Sequence, residues 1–169
     1  MTNRLSEICA AAGMSSGNLF HYFSSKREIF AAIFEDDASD KSERLAAAQA
    51  SDDPWTALFD VVDVLAAPAA EPLAPNLVLE AMIQAYRDPA LAELLGRNDA
   101  EERAAIAALL AKAVRAGQID PALDPVDTAS WIMAVIGALF LEAATNPKFN
   151  PAKQLSTLRL MLQRFLRIS

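Results

Sequence analysis

Cysteine and histidine each occur once in the 169 residues, as Cys9 and His21. One cysteine excludes an intramolecular disulfide and any cysteine-rich zinc site. One histidine excludes the two-histidine metal motifs, the paired Glu-x-x-His of di-iron bundles among them. The chain also lacks GxSxG, HExxH, a glycine-rich phosphate loop and paired cysteine ligands, and its carboxylates are scattered, so no enzyme, cofactor or metal is expected. No charged start leads into an apolar run and a cleavage site, which points to a cytoplasmic protein. The longest apolar run, residues 129–141, stops at Glu142, short of the roughly 20 residues a membrane span needs. No repeat and no strand-like segment is visible. Glycine is scarce, at five residues, while alanine fills 35 positions; alanine is the best helix former and covers a sheet poorly. With 53% hydrophobic residues, a chain of this size can bury the roughly 70% of its unfolded surface that folding requires. An all-α fold follows.

The net charge of −7 argues against a surface that coats nucleic acid. Residues 1–34, however, carry Arg4, Lys26 and Arg27 against Glu7 and Glu28, leaving −8 for the remainder. A small anion-binding module attached to an acidic partner domain has this asymmetry. The chain is punctuated by one repeated device: Asp53-Pro54, Asp88-Pro89, Asp124-Pro125 and Asn150-Pro151. Each sets a good N-cap before proline, whose missing N–H costs nothing at the first helical position. Gly117 can supply a left-handed C-cap. The pattern predicts helices at about 4–11, 15–22, 25–49, 54–67, 76–87, 89–116, 125–145 and 151–167, within a few residues. Pro68, Pro72 and Pro75 mark an alanine-rich connector.

Leu5, Ile8, Cys9 and Ala12 form the inward stripe of the first short helix. Gly13 permits a tight turn, and Ser15 caps a second helix on which Leu19, Phe20 and Phe23 point inward. Ser15, Asn18, His21 and Tyr22 fall on its other side. Two short helices joined this way make a helix-turn-helix, whose second helix enters the DNA major groove. The outward set consists of hydrogen-bonding groups suited to phosphates and base edges. The plain alternatives are a surface histidine at His21 and a solvated helix start at Lys26-Arg27-Glu28.

The run from Ile8 to Phe30, ICAAAGMSSGNLFHYFSSKREIF, closely resembles the DNA-binding signature of tetracycline-repressor-type (TetR-family) transcriptional regulators. The resemblance implies that Ser15, Ser16, Gly17, Asn18 and His21 lie against the groove, with Tyr22 and Lys26 on phosphates. Gly17 would let the helix N-terminus, with its free N–H groups, come close to the DNA. The family usually has tyrosine where Phe20 stands and threonine where Arg4 stands. It also has a further helix ahead of this motif, so residues 1–34 are expected to form a helix-turn-helix domain incomplete at its N-terminus.

Residues 35–169 are expected to form a helical effector-binding and dimerisation domain. Ile29, Phe30, Ile33 and Phe34 make a stripe expected to point into the head. The polar stretch from Glu35 to Arg44 predicts a connecting helix crossing exposed ground. The body has more apolar side chains than helix packing needs. Most are expected to be ordinary core, and a ligand cavity would draw on the same kind of residue with a few polar groups. The expected ligand set is Phe59, Val62, Glu80, Ile83, Gln84, Tyr86 and Leu110, for a small hydrophobic or aromatic effector. A helix apolar all round must be covered all round, so a second copy is expected over the last two helices, at Trp131, Ile132, Val135, Ile136, Leu139, Leu158, Leu162 and Phe165. In the resembled family these two helices form a four-helix dimer interface. The resulting expectation is a ligand-responsive dimeric regulator, a repressor binding an inverted-repeat operator and not a membrane. The alternative is a helical dimer that binds a ligand or protein through its body while its head no longer binds DNA.

Overall fold

The computed structural model describes residues 25–167, which contain six α-helices and no strand. They are α1 (Lys26–Gln49), α2 (Pro54–Ala66), α3 (Ala74–Ala85), α4 (Pro89–Arg115), α5 (Pro125–Thr145) and α6 (Pro151–Leu166). The expected helices at 4–11 and 15–22 lie outside the described residues.

Local chemistry accounts for the starts of five of the six helices. Asp53, Asp88 and Asp124 each accept two amide hydrogen bonds from the first turn of α2, α4 and α5, and Asn150 accepts one in α6. Proline occupies the first turn in each case. Ser25 does the same for α1, its hydroxyl accepting from the Glu28 amide at 3.3 Å. The end of α4 is equally explicit. Gly117 adopts φ +70°, the Gln118 amide donates to the Ala113 carbonyl at 2.9 Å and the Gly117 amide to Val114 at 3.0 Å. This paired closure consumes two orphan carbonyls, and it requires a left-handed residue that glycine supplies without steric cost. The connector is more ordered than its prolines suggest. Ala67–Ala70 form a 3-10 turn with Ala69 buried, and α3 starts at Ala74, taking Pro75 into its first turn.

Helix α4 is the central post. It packs against α1, α2, α3 and α5, while α6 closes over α2, α5 and the 3-10 turn. The main core joins Leu58, Phe59 and Val62 of α2 to Ile106, Leu109 and Leu110 of α4 and Ile132 of α5. Each such side chain contributes roughly 1.5–3 kcal/mol by leaving water. Trp55 meets Phe59 edge-on with ring centroids 4.9 Å apart. Arg159 of α6 lies 5.1 Å over the Phe59 ring and pairs with Asp63, pinning α6 to α2.

One expectation for α1, the direction of Phe30 and Phe34, is corrected. Phe30 points into the body, forming a second small core with Ala81 of α3 and Leu91 and Leu94 of α4, with Phe34 packed beside it. The stretch from Glu35 to Arg44 is exposed over most of its residues, as expected, but its Asp37 and Lys41 side is partly covered by α4. Leu45, one residue beyond it, is buried in the main core.

Candidate ligand cavity and association face

A cavity of about 370 Å³ opens between α1, α3, α4 and α5, within the roughly 300–1,000 Å³ common for small-molecule sites. Its apolar walls come from Ile33 and Phe34 of α1, Leu77 and Val78 of α3, Leu95 of α4, and Met133, Ile136 and Phe140 of α5. Opposing helices thus present side chains at three- and four-residue spacing to a common space. The polar side is equally compact: Asp37 and Lys41 of α1 face Asn98, Asp99 and Glu102 of α4.

Lys41 Nζ lies 2.7 Å from Asp37 Oδ2 and 3.1 Å from Glu102 Oε1. Asn98 Nδ2 donates to the Phe34 carbonyl at 3.1 Å, a second polar tie between α1 and α4. Asp99 pairs with Arg103 at 2.8 Å. Burial by itself would lower the pKa of the Lys41 ammonium, yet attraction to Glu102 and Asp37 outweighs it and the pKa rises. Burial pushes the Glu102 carboxyl up, and Lys41 does not fully offset it because Asp37 and Asp99 add like charge. Both pKa values rise, which favours the charged form of Lys41 and disfavours that of Glu102: Lys41 has two carboxylates, whereas Glu102 has one shared ammonium and two like-charged neighbours. Among the described residues no three carboxylate, histidine or cysteine side chains converge closely enough to hold a metal ion.

The ligand set expected from sequence does not line this cavity. Phe59, Val62 and Leu110 are sealed in the main core. Ile83 and Tyr86 face outward, Tyr86 being 92% exposed, and Glu80 and Gln84 are partly exposed on the same helix. The cavity uses the neighbouring positions Leu77 and Val78 instead, because α3 turns that face towards α5. Asp37, Lys41, Asn98, Asp99 and Glu102 look in sequence like solvated helix faces. The one signal in the sequence is the i,i+4 pair Asp37/Lys41.

The second feature is an apolar groove of about 240 Å³ between α5 and α6. Trp131, Met161 and Phe165 form its rims and are each more than half exposed. Val135 is half-buried beside them, and Ile132, Leu158 and Leu162 make the floor, buried in the chain's own core. Ile136 and Leu139, also expected at an association face, point the other way, into the core. Sequence could not sort them, since α5 is apolar on nearly every face. With its flanks α5 spans 21 residues, long and apolar enough by composition to cross a membrane. Its Thr128, Ala129, Ile132, Ile136 and Leu139 nevertheless pack into the helical core.

Of the expected DNA-contacting residues, Ser15, Ser16, Gly17, Asn18, His21 and Tyr22 lie outside the described residues. Lys26 is the first residue of α1, so the helix that follows the motif is the one forming a cavity wall. A helix-turn-helix sequence feeding without interruption into a cavity-bearing helical body is the layout of a DNA-binding transcriptional regulator. Residues 4–33 match the model of bacterial regulatory proteins of the tetR family, and residues 56–167 match the C-terminal domain of BetI-type transcriptional repressors. The chain belongs to the tetR family of transcriptional regulators. It is similar to Salmonella enterica GusR, with a TM-score of 0.62 and 26% identity over 98% of this chain and 85% of that one. No curated protein matches.

Proposed function

We infer that the chain acts in the cytoplasm as a homodimeric repressor whose operator affinity is set by a small molecule held in the cavity between α1, α3, α4 and α5. One observation carries this reading: α1 begins at Lys26, inside the segment matched to the DNA-binding family model, and continues unbroken to form a wall of that cavity. Any occupant that shifts α1 against α4 therefore acts on the element leading to the DNA-binding motif. Residues 1–34 serve as the DNA-binding part, with Ser15, Ser16, Gly17, Asn18 and His21 at base edges and Tyr22 and Lys26 on phosphates. Residues 35–169 serve as the effector and dimerisation part, pairing through the exposed face of Trp131, Val135, Met161 and Phe165. Two copies place two heads on an inverted repeat.

The test is selection of DNA from a random pool by the full chain, followed by titration at several salt concentrations. The expected product is an inverted repeat. Lys26→Ala should weaken all sequences alike and reduce the slope of log affinity against log salt by about one per head. Failure to enrich any sequence, with the chain folded and dimeric, overturns the DNA-binding part of the reading.

A further inference from the structure

Two side chains inside the segment matched to the DNA-binding family model, Arg27 and Phe30, are anchored on the body. Both meet the start of α4. Phe30 is buried with Leu91 and Leu94, and Arg27 Nε lies 3.7 Å from Asp88 Oδ2. Asp88 is shared between two tasks. Its Oδ1 accepts from the Ala90 and Leu91 amides at 3.2 and 3.3 Å, capping α4, while its Oδ2 faces Arg27. Fixed by that cap, the Asp88 side chain is 13% exposed, whereas that of Arg27 is 59% exposed. The acid is therefore the rigid member of the pair, and the guanidinium is what it holds. Leu91 joins the two contacts, since Asp88 caps its amide and its side chain packs on Phe30. The same alignment runs down both helices through Phe34 and Asn98, Lys41 and Glu102, and Gln49 and Lys112. Each α4 residue follows its α1 partner by 61 to 64 positions, so the helices lie side by side in the same direction.

We propose that Asp88 is a positioning residue for operator binding: with one carboxylate it caps α4 and holds Arg27, fixing the angle at which α1 presents the helix-turn-helix to DNA. This rests on the reading of the chain as an operator-binding protein and adds a body residue, outside the motif, on which that affinity depends. An ionic contact at the first turn of a parallel helix pair restrains rotation and tilt of α1 at the end that meets the motif. Lys41 and Glu102 fix the same pair farther along, and Asp88 fixes its DNA-proximal end. The role has a sign that plain electrostatics does not share. Removing an acid from a chain of net charge −7 should, by charge alone, favour DNA binding. Loss of the positioning contact should weaken it.

The probe is a duplex enriched from a random pool by the full wild-type chain, compared with an unrelated duplex of the same length. Asp88→Asn keeps the cap, because asparagine caps a helix as well as aspartate does, and removes the charge facing Arg27. It should leave thermal unfolding nearly unchanged. It should weaken binding of the enriched duplex by about five-fold per head, the most that a pair this exposed supports, and spare or tighten the unrelated one. Arg27→Gln should weaken the enriched duplex similarly without changing the slope of log affinity against log salt, since its guanidinium holds Asp88 and not a phosphate. The double variant should bind no more weakly than either single one. Should Asp88→Asn fail to fold, as circular dichroism would show, Arg27→Gln carries the test through its salt slope. Unchanged or tighter binding of the enriched duplex by Asp88→Asn, or a slope lowered by about one per head in Arg27→Gln, overturns the positioning role and leaves operator binding standing. A wild-type chain that enriches no sequence overturns both readings.

Discussion

Trp131 distinguishes an association face from mere surface. Its side chain is 68% exposed at the rim of the groove between α5 and α6. Covering a tryptophan this exposed removes on the order of 150 Å² from water, about 4 kcal/mol at 25 cal/mol per Å². In a two-fold dimer the loss on Trp131→Ala occurs once per protomer. Area converts incompletely to affinity because association also orders side chains and desolvates polar groups. A net weakening of about 4 kcal/mol, roughly a thousandfold in Kd, is therefore expected. The folded monomer should hardly notice, since the ring is already in solvent. Leu139→Ala is the contrasting control. That side chain is 8% exposed in the main core, so its truncation should cost about 2–5 kcal/mol of monomer stability through lost burial and a cavity. Sedimentation equilibrium reads association, and urea unfolding reads stability. Unchanged association in Trp131→Ala, or a wild-type chain already monomeric at micromolar concentration, refutes the assignment of this face.

Two glycines should respond with opposite sign to alanine, as followed by thermal unfolding. Gly117 sits at φ +70° with open space around it, so Gly117→Ala should cost about 1 kcal/mol through backbone strain alone. Gly96, exposed within α4 with nothing near its missing Cβ, should be stabilised by Gly96→Ala by about 0.5–1 kcal/mol. Asp124→Ala removes the acceptor of two amides at 2.9 Å and should cost about 1 kcal/mol, measured by chemical denaturation. Because the folded state raises the Glu102 pKa above its ordinary 4.5, the folded protein holds that proton longer than the unfolded chain. Stability relative to Glu102→Gln should therefore be greatest below pH 4.5 and fall as pH rises through the raised folded pKa. A flat difference across that window would place Glu102 in a solvated environment.

The helices beginning at Pro54, Pro89, Pro125 and Pro151, and the stop at Gly117, were legible from neighbouring residues alone. A cap is a contact across three or four residues, so an aspartate before a proline, or a glycine after a periodic run, carries its own structural meaning. The tetR-type motif was legible for a related reason, since it lies in one continuous stretch from Ile8 to Phe30. What lay beyond local reach was which side of each helix meets which neighbour. Periodicity places Ile132, Ile136 and Leu139 on apolar faces of α5, but α5 is apolar nearly all round, and only packing onto α4 turned those three inward and Trp131 outward. The polar run from Glu35 to Arg44 reads as solvated, yet Lys41 is largely covered because α4 lies against it and supplies Glu102, 61 residues away. The cavity is the extreme case. Its walls come from five helices and the 3-10 turn, spread between Ile33 and Phe140, and no spacing rule along one helix says that separate faces leave a gap where they converge. Local chemistry determined where the helices start and stop; the space between them was decided by how long-range apolar contacts rotate each helix about its own axis.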